Sequence, residues 1–140
     1  MRFLASFFTV FIIDQLIKYL FLNGFEWHSK CISLTLAINN GVAFSMFSFL
    51  GEYLKFIQVG LLGVLFFGMF KEKVIQKHQI ISGILFGAAF SNLLDRFLVG
   101  GVVDYVYWHC MFDFAIFNLA DVMIDFSILA FGYLYLKKRL

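Results

Sequence analysis

The sequence predicts an all-α integral membrane protein whose four membrane-spanning helices form one bundle. Of its 140 residues, 62% are hydrophobic, only 14% are charged and none is proline. A water-soluble domain carries about 25% charged residues, so this composition indicates a chain that is solvated by membrane lipid. The chain also contains four separate stretches that approach the roughly 20 apolar residues needed to cross the hydrocarbon core as a helix.

These four stretches are the predicted spans, and they cover residues 3–22, 53–70, 80–98 and 117–136. The segments 23–52 and 99–116 are predicted to lie outside the membrane on one common side. We treat residues 1–140 as a single polytopic membrane domain, because no internal repeat or low-complexity tract divides the chain. The first span resembles a secretory signal peptide, yet Asp14 and Lys18 interrupt it and no A-x-A cleavage site follows. We therefore expect it to be retained as a helix.

The positively charged residues predict the orientation of the bundle. They cluster at the start of the chain, in the loop between the second and third spans and in the tail: Arg2; Lys71, Lys73 and Lys77; Lys137, Lys138 and Arg139. Because loops rich in Lys and Arg stay in the cytoplasm, both termini and the middle loop are predicted to be cytoplasmic. This placement accounts for the net charge of +2 without a nucleic-acid partner.

The two outer segments carry different patterns. Residues 31–38 alternate between apolar side chains and small or polar ones, which predicts a β-strand. Residues 102–114 combine aromatic side chains with aspartates and lack Lys and Arg, a composition suited to the level of the lipid headgroups. Cys31 and Cys110 show no metal-ligand spacing, and we expect free thiols in apolar surroundings. A single disulfide between them is the alternative, because both cysteines are predicted to face the oxidising side.

Ionisable and amide side chains interrupt the spans in sets at helical spacing: Asp14 and Lys18; Asn92, Asp95 and Arg96; Asn118, Asp121 and Asp125. An Asp or Lys near the bilayer centre costs about 2.5–3.5 kcal/mol, so such residues need partners. Three polar stripes can satisfy one another only if they face inward, which predicts a shared polar cavity in the outer half of the bundle. Asp104 could reach the level of Asp121 from the outer loop. From the pattern alone, these two are equally compatible with a pair or with unrelated interfacial carboxylates.

Other members of these sets also allow more than one interpretation. Asp14 and Lys18, at i and i+4, could form a self-neutralising ion pair, or they could brace the outer hairpin and the site. Asp95 and Arg96 could form a structural pair near the helix end, but adjacent residues point to different faces, so we expect Arg96 to bond elsewhere. Asn92 could orient a neighbour through its amide.

The chain carries five short motifs in a definite order: Asp14 with Lys18, residues 39–45 (NNGVAFS), residues 92–96 (NLLDR), residues 101–105 (GVVDY) and residues 117–121 (FNLAD). They resemble the D-x-x-x-K, N-x-G-x-A-F-S, N-L-x-D-R, G-x-V-x-D-F and F-N-x-A-D blocks of bacterial lipoprotein signal peptidases, also called signal peptidase II. Together with the chain length and the four-span layout, the blocks make a specific resemblance that covers nearly the whole sequence.

The resemblance implies a membrane aspartyl endopeptidase of the bacterial cytoplasmic (inner) membrane, with Asp104 and Asp121 as its catalytic dyad. Its substrate would be a diacylglyceryl-modified prolipoprotein, cut just before the lipidated cysteine. The resemblance further implies an extracytoplasmic β-cradle around residues 32–44 and a short interfacial helix near residues 107–114. The positions that match the family's supporting or substrate-contacting residues are Asp14, Lys18, Asn39, Gly41, Asn92, Arg96 and Asn118.

The chain departs from the family pattern at four positions. Tyr105 stands where Phe is usual after the aspartate, and Ala88 and Ser91 replace glycines expected before the third block. Asp125 adds a carboxylate one turn beyond Asp121 in the last span, where it could alter the proton balance of the dyad.

The expected chemistry needs neither a metal nor a cofactor. The sequence lacks a zinc-binding cluster and a serine–histidine or cysteine–histidine signature, so two carboxylates and a water remain to hydrolyse an amide. His28, His78 and His109 are scattered, and we expect them in loops or at interfaces. We expect the 21 phenylalanines to pack mainly against membrane lipid, and we take a monomer as the working expectation.

A small proton-coupled membrane carrier or channel subunit is the alternative function, since it too would hold ionisable residues in the membrane. A carrier would need polar side chains through to the cytoplasmic side, whereas residues 61–70 and 80–86 carry almost none. A structural assembly factor is a third possibility, and it predicts that Asp104 and Asp121 are each replaceable.

Overall fold

The computed structural model describes residues 1–41 and 48–137. Within them, four helices are long and apolar enough to cross a membrane: α1 (Arg2–Leu22), α2 (Tyr53–Lys71), α4 (Gln79–Leu98) and α5 (Leu119–Leu136). A one-turn helix, α3 (Val74–Lys77), lies between α2 and α4, and a short 3-10 helix (Ser48–Leu50) precedes α2. The prediction of four apolar helices is confirmed, and each observed helix end lies within two residues of the predicted one.

Helix α4 is the centre of the bundle. In its most apolar window 56% of the residues are buried inside the protein, against at most 11% for the other three helices, which present most of their surface outward. Gly83 and Gly87 allow this close packing, because a Cβ at Gly83 would overlap Ser6 Oγ and one at Gly87 would overlap the carbonyl of Phe7. Small residues at the contact let membrane helices approach closely, since lipid supplies no hydrophobic force between them.

A three-stranded antiparallel sheet covers one end of the bundle. Its strands are β1 (Trp27–His28), β2 (Ile32–Asn39) and β3 (Val102–Trp108), in the order β1-β2-β3. The β2–β3 register places Ile32 opposite Trp108 and Ala37 opposite Asp104, with an irregularity between Leu34 and Ala37. The alternating pattern of residues 31–38 therefore predicted β2 correctly, and the predicted bundle of four apolar helices carries a small three-stranded sheet.

The predicted short helix near residues 107–114 is wrong. Residues 102–108 form β3, and residues 109–118 hold neither helix nor strand apart from a bridge between Val106 and Phe117. The physical reason is that β3 begins with β-branched valines that are buried, and β2 offers it an edge to pair with. The residue-level expectations for 42–45 in the second motif and the predicted cradle, and for Lys138 and Arg139, lie outside the described residues.

The expectation of free thiols is also wrong, because Cys31 and Cys110 form a disulfide. The two residues flank the register pair Ile32–Trp108, and the backbone N–H of His109 donates to the Cys31 carbonyl at 2.9 Å. Strand pairing therefore brings together two cysteines that are 79 residues apart in sequence, with their Cα atoms at 4.3 Å. The bridge ties the start of β2 to the segment that leads into α5.

Candidate active site

Asp121 is positioned by the N-terminus of α5. Asn118 is the N-cap residue: its side-chain Oδ1 accepts a hydrogen bond from the Asp121 N–H at 2.8 Å, and Asp121 Oδ2 accepts one from the Asn118 N–H at 3.1 Å. This reciprocal capping box satisfies two backbone donors that a helix start otherwise leaves unpaired. It also fixes the Asp121 carboxylate in the first turn, next to the sheet.

Asp104 comes to the same place from β3, where it is buried with 2% of its surface exposed. The amide nitrogen of Asn118 donates to Asp104 Oδ1 at 2.8 Å, to Asn92 Oδ1 at 3.0 Å and to the Val103 carbonyl at 3.2 Å. One side chain therefore caps the helix that carries Asp121 and holds the carboxylate of Asp104. The structure brings together the two aspartates that the sequence left as either a pair or unrelated groups.

Each carboxylate has a further amide donor. Asn39 Nδ2 donates to Asp104 Oδ2 at 3.2 Å, and Asn92 Nδ2 donates to Asp121 Oδ1 at 2.8 Å. The sequence-based expectation that Asn92 orients a neighbour is met by this contact. Amides cannot titrate near neutral pH, so these donors orient the carboxylates without competing for the proton.

Lys18 anchors the site from α1 and is almost completely buried. Its Nζ lies 2.7 Å from Asp14 Oδ2, 2.7 Å from Asp95 Oδ2 and 2.7 Å from Asn92 Oδ1. The intrahelical pair with Asp14 exists, but Lys18 also bridges to α4 and, through Asn92, to Asp121. The pair is therefore not self-neutralising, because Lys18 shares its charge with Asp95 and contacts the residue that holds Asp121.

The two acidic partners of Lys18 also accept hydrogen bonds from the neighbouring elements. Asp14 Oδ1 accepts from the Ala120 N–H at 3.0 Å in the first turn of α5, and Asp95 Oδ2 accepts from the Val103 N–H at 3.1 Å in β3. Because buried charges need several partners to offset their desolvation, this arrangement lets an ion cluster exist inside the protein. It also joins α1 and α4 to the two elements that carry Asp104 and Asp121.

Arg96 bonds away from its neighbour Asp95, as the sequence predicts. Its Nη2 donates to the carbonyl of Gly41, and the Gly41 N–H donates in turn to Asn39 Oδ1 at 3.0 Å. Arg96 thus fixes the end of β2 from which Asn39 reaches Asp104. The predicted residues Asn39, Gly41 and Arg96 form one connected set.

A cavity of about 440 Å³ opens on the two carboxylates. Asp104, Asp121, Asn92 and Arg96 lie on its wall, together with the segment 114–117 that precedes α5. The cavity extends beyond the dyad between α2 and α5. It is large enough for several residues of an extended peptide, whereas the supporting ion cluster at Lys18 lies behind the carboxylates and outside the cavity lining.

The environment of Asp104 makes it a weak acid. Burial is the largest cause and the nearby Asp121 adds to it, while hydrogen bonds from Asn39 and Asn118 and the charge of Lys18 oppose it; together they raise the pKa of Asp104 to about 7. Burial disfavours the charged form and a second carboxylate disfavours it further. Asp104 is therefore poised to hold or release a proton near neutral pH, as a general acid or base requires.

Three residues that support the site were not singled out as such from the sequence. Gln15 Nε2 donates to Asp95 Oδ1 and to Ser91 Oγ, each at 2.8 Å, and Ser91 Oγ donates to Asp14 Oδ2 at 2.6 Å. Tyr105 Oη accepts from the Leu119 N–H at 2.9 Å and helps to hold the start of α5. Gln15 was detectable as one more polar residue within the first span, while Ser91 and Tyr105 were noticed only as departures.

His78 and His109 are not among the residues that line the cavity. His109 Nε2 lies 2.9 Å from Ser33 Oγ in the sheet, and His78 occupies the N-cap position of α4 at the far end of the bundle. Among residues 1–41 and 48–137, the structure places no group of three or more His, Cys, Asp or Glu side chains where they could hold a metal ion.

Comparison with known proteins decides the family. The sequence model for Signal peptidase (SPase) II matches residues 6–137. The chain belongs to the signal peptidase II family. A lipoprotein signal peptidase of Wolinella succinogenes is 56% identical to this chain over 131 residues, covering 93% of this chain and 90% of that protein. The lipoprotein signal peptidase of Helicobacter pylori is 51% identical over 137 residues, covering 97% of this chain and 85% of the relative.

Solved structures agree with the family assignment. A bacterial membrane enzyme with 26% sequence identity superposes with a TM-score of 0.82, covering 96% of this chain and 87% of the other. A second structure of a bacterial membrane enzyme, also 26% identical, gives a TM-score of 0.80 over 96% and 92% of the two chains. The overall fold of this chain is therefore shared with solved bacterial membrane enzymes.

Proposed function

We propose that this signal peptidase II family member is an aspartic endopeptidase that removes the signal peptide from diacylglyceryl-modified prolipoproteins, with Asp104 and Asp121 as its catalytic pair. The observation that carries the assignment of the pair is the Asn118 side chain, which caps the helix of Asp121 and donates to Asp104 at the wall of one cavity. The supporting residues are Asp14, Lys18, Asn39, Gly41, Asn92, Arg96 and Asn118.

The proposed mechanism uses one proton shared by the two carboxylates. The ionised carboxylate takes a proton from a water, and the resulting hydroxide attacks the scissile carbonyl carbon while the protonated carboxyl donates to the carbonyl oxygen. The tetrahedral intermediate then collapses, the C–N bond breaks, and the leaving nitrogen takes a proton from the pair. Close carboxylates cannot both ionise easily, so the two roles belong to the pair as a unit.

The depth of the site suits a lipidated substrate. Asp121 lies in the first turn of α5, about 3 Å along the helix axis from its start at a rise of roughly 1.5 Å per residue. A cysteine cut at this level can leave its acyl chains in the surrounding lipid while the peptide enters the cavity. We place the site at the outer face of the bacterial inner membrane with both termini cytoplasmic, on the support of the Lys and Arg distribution.

The other proposals have less support. A proton-coupled carrier or channel is not supported by the family or by the relatives named above. A structural assembly factor would require that the two aspartates be individually replaceable. We propose a monomer as the active unit, because the described carboxylates and their amide donors all come from one chain.

The decisive experiment is cleavage of a diacylglyceryl prolipoprotein by the purified full-length protein in detergent. Asp104→Asn and Asp121→Asn should each lower kcat by at least about 1,000-fold, toward the upper range for loss of a general acid or base. Asp113→Asn is the matched control, because Asp113 is an exposed carboxylate bonded to Tyr107 at 2.7 Å. It should retain near-parental turnover.

Two results would contradict the proposal. Near-parental turnover in a folded Asp104→Asn or Asp121→Asn protein would remove the dyad. If EDTA abolished cleavage and a divalent ion restored it, the reaction would depend on a metal and the scheme of a water and two carboxylates would be wrong.

A further inference from the structure

The cavity contains a second polar patch that the dyad and its supporting network do not use. Gln58 of α2 and Asp125 of α5 both line it. They are the sixth residue of α2 and the seventh of α5, so at about 1.5 Å per residue both lie roughly 8–9 Å from the ends of their helices that face the sheet. Asp121 lies only about 3 Å from that end of α5. The patch is therefore deeper in the bundle than the dyad.

Neither side chain has a partner in the described part of the chain. In residues 1–41 and 48–137, no hydrogen bond or ion pair is formed by Gln58 or Asp125, whereas Asn92 and Asp121 each make several. The neighbouring wall is apolar and includes Leu61 and Ile124. An aspartate at membrane depth costs about 2.5–3.5 kcal/mol on insertion scales, so a cavity that keeps one unpaired is suited to a polar occupant.

The chemistry of the two groups fits a peptide backbone. A carboxylate accepts hydrogen bonds, and a glutamine amide both donates and accepts, so together they can receive a backbone N–H and donate to a backbone C=O. A protease must hold its substrate extended across the catalytic groups, which removes the backbone hydrogen bonds that a helix would supply. At membrane depth no bulk water replaces them, and each unsatisfied group costs several kcal/mol.

We propose that Gln58 and Asp125 form a backbone-binding subsite for the substrate segment that precedes the scissile bond. Asp125 accepts an N–H of this segment and Gln58 donates to one of its carbonyls. The preceding segment is chosen because it is the membrane-embedded part of a signal peptide, and the patch lies on the deeper side of the dyad. The inference rests on the proposed function and adds to it a residue pair that selects an extended backbone.

A path through the protein is a poorer explanation of the patch. Beyond Gln58, residues 61–70 of α2 are apolar, and residues 80–86 of α4 are nearly so. The polar residues of α5 that line the cavity are Asp121 and Asp125, and the next polar residue, Ser127, is buried and donates to the Met123 carbonyl. Among the described residues, the polar lining of the cavity therefore ends at Gln58 and Asp125 and does not continue toward the other side of the bundle.

The experiment removes one backbone N–H at a time from the substrate. Lipidated substrates are made in which a single amide before the scissile bond is replaced by an ester, which exchanges the N–H donor for an oxygen and keeps the side chains. For the parent enzyme, one such position should lower kcat/KM about tenfold, the effect of losing a hydrogen bond to a charged group. Asp125→Leu should lower kcat/KM for the all-amide substrate by a similar factor.

The decisive comparison combines the two changes. If Asp125 accepts that N–H, the ester should cause no further loss of kcat/KM in Asp125→Leu. The effects of two changes that remove the same contact are not additive in a double-mutant cycle. Asp113→Leu is the matched control and should keep the full sensitivity to the ester. An ester also weakens the carbonyl of the replaced bond, since an ester carbonyl is a weaker acceptor than an amide carbonyl. Gln58→Leu should therefore abolish the effect of an ester only at the substrate position whose carbonyl Gln58 contacts.

Three outcomes would overturn the subsite. One is an ester series in which no position before the scissile bond affects the parent enzyme. The second is an ester effect that persists undiminished in Asp125→Leu, or in Asp125→Asn if the leucine variant does not fold. The third is that Asp125→Asn shifts the pH profile of kcat/KM and changes nothing else, which would mean that Asp125 acts only through its charge on the dyad. A parent enzyme that cleaves no lipidated substrate would instead reject the proposed function.

Discussion

The two ends of the helix bundle are held together by different interactions. At the end next to the sheet, helices meet through charges and amides centred on Lys18, whose ammonium contacts two carboxylates and an amide oxygen at 2.7 Å each. At the opposite end they meet through rings and glycines. Phe86 lies 5.3 Å from Phe66 and 6.3 Å from Phe3, measured between ring centroids, and Gly87 packs on the backbone of Phe7.

This difference shows how the protein divides its tasks along the membrane normal. Steric packing of small residues and rings can hold helices together anywhere in lipid, but it orients no reactive group. Polar contacts have directions, and the sheet-side network uses them to set Asp104 and Asp121 against each other through Asn118. We therefore expect changes at the sheet side to affect catalysis, and changes at the far side to affect stability alone.

The largest effect is expected from the buried ion cluster. Lys18→Met leaves Asp14 and Asp95 buried without a cation, and the loss of one member of a buried ion pair costs about 3–5 kcal/mol. Lys55→Met is the matched control, because Lys55 pairs at 3.5 Å with Glu52, which is 87% exposed, and such pairs contribute at most about 1 kcal/mol. Thermal unfolding in detergent measures both, and equal losses would remove the special role of the cluster.

The next effect concerns Asn118, which serves both as a helix cap and as a donor to Asp104. Asn118→Ser keeps a capping oxygen and loses the donor, while Asn118→Ala loses both. Each variant should lower kcat roughly 10- to 100-fold, because a hydrogen bond to a charged group is lost. Only Asn118→Ala should also lower the free energy of unfolding, by about 1 kcal/mol. Parental turnover in Asn118→Ser would show that the donor is dispensable.

The far end of the bundle is tested by adding a methyl group. Gly87→Ala places a Cβ against the carbonyl of Phe7 and should destabilise the protein by about 1–2 kcal/mol through overpacking of α1 on α4. Gly132→Ala is the control, because nothing lies within 4 Å of a Cβ there. Activity per folded molecule should be unchanged in both. A fall in kcat without a fall in thermal stability would contradict the division between the two ends.

The smallest effect is the pH dependence. The raised pKa of Asp104, about 7, means that the pair keeps its proton below this pH and loses it above. kcat/KM should therefore fall about tenfold per pH unit on the alkaline side of that value. The folded protein also binds this proton more tightly than the unfolded chain, so the stability it contributes is full at low pH and is lost as the pH rises through about 7. A rate that is flat to about pH 9 would contradict this, and Asp104→Asn should show a weaker dependence of stability on pH.

The sequence predicted the apolar helices and β2 closely, because a continuous apolar run and a period-two alternation are both local patterns. The candidate site was predicted as a set of residues, and the structure connects all of them. The errors lie where partners are distant in sequence. Residues 107–114 were expected to be helical, but β3 forms because β2 lies beside it. The disulfide forms because strand pairing brings Cys31 to His109, the neighbour of Cys110.

By itself, the sequence determined that the chain has four helices suited to cross a membrane and that ionisable residues within them need partners. Hydropathy and helical spacing are local properties, so both can be read from the sequence. Only the tertiary structure decided which partners those charges take. That Lys18 serves Asp14, Asp95 and Asn92 together, and that Asn118 joins Asp104 to the helix of Asp121, depends on packing α1, α4, α5 and the sheet at once. Hydrogen bonds between distant segments have no signature in sequence, because they depend on distances that are set only when the bundle closes.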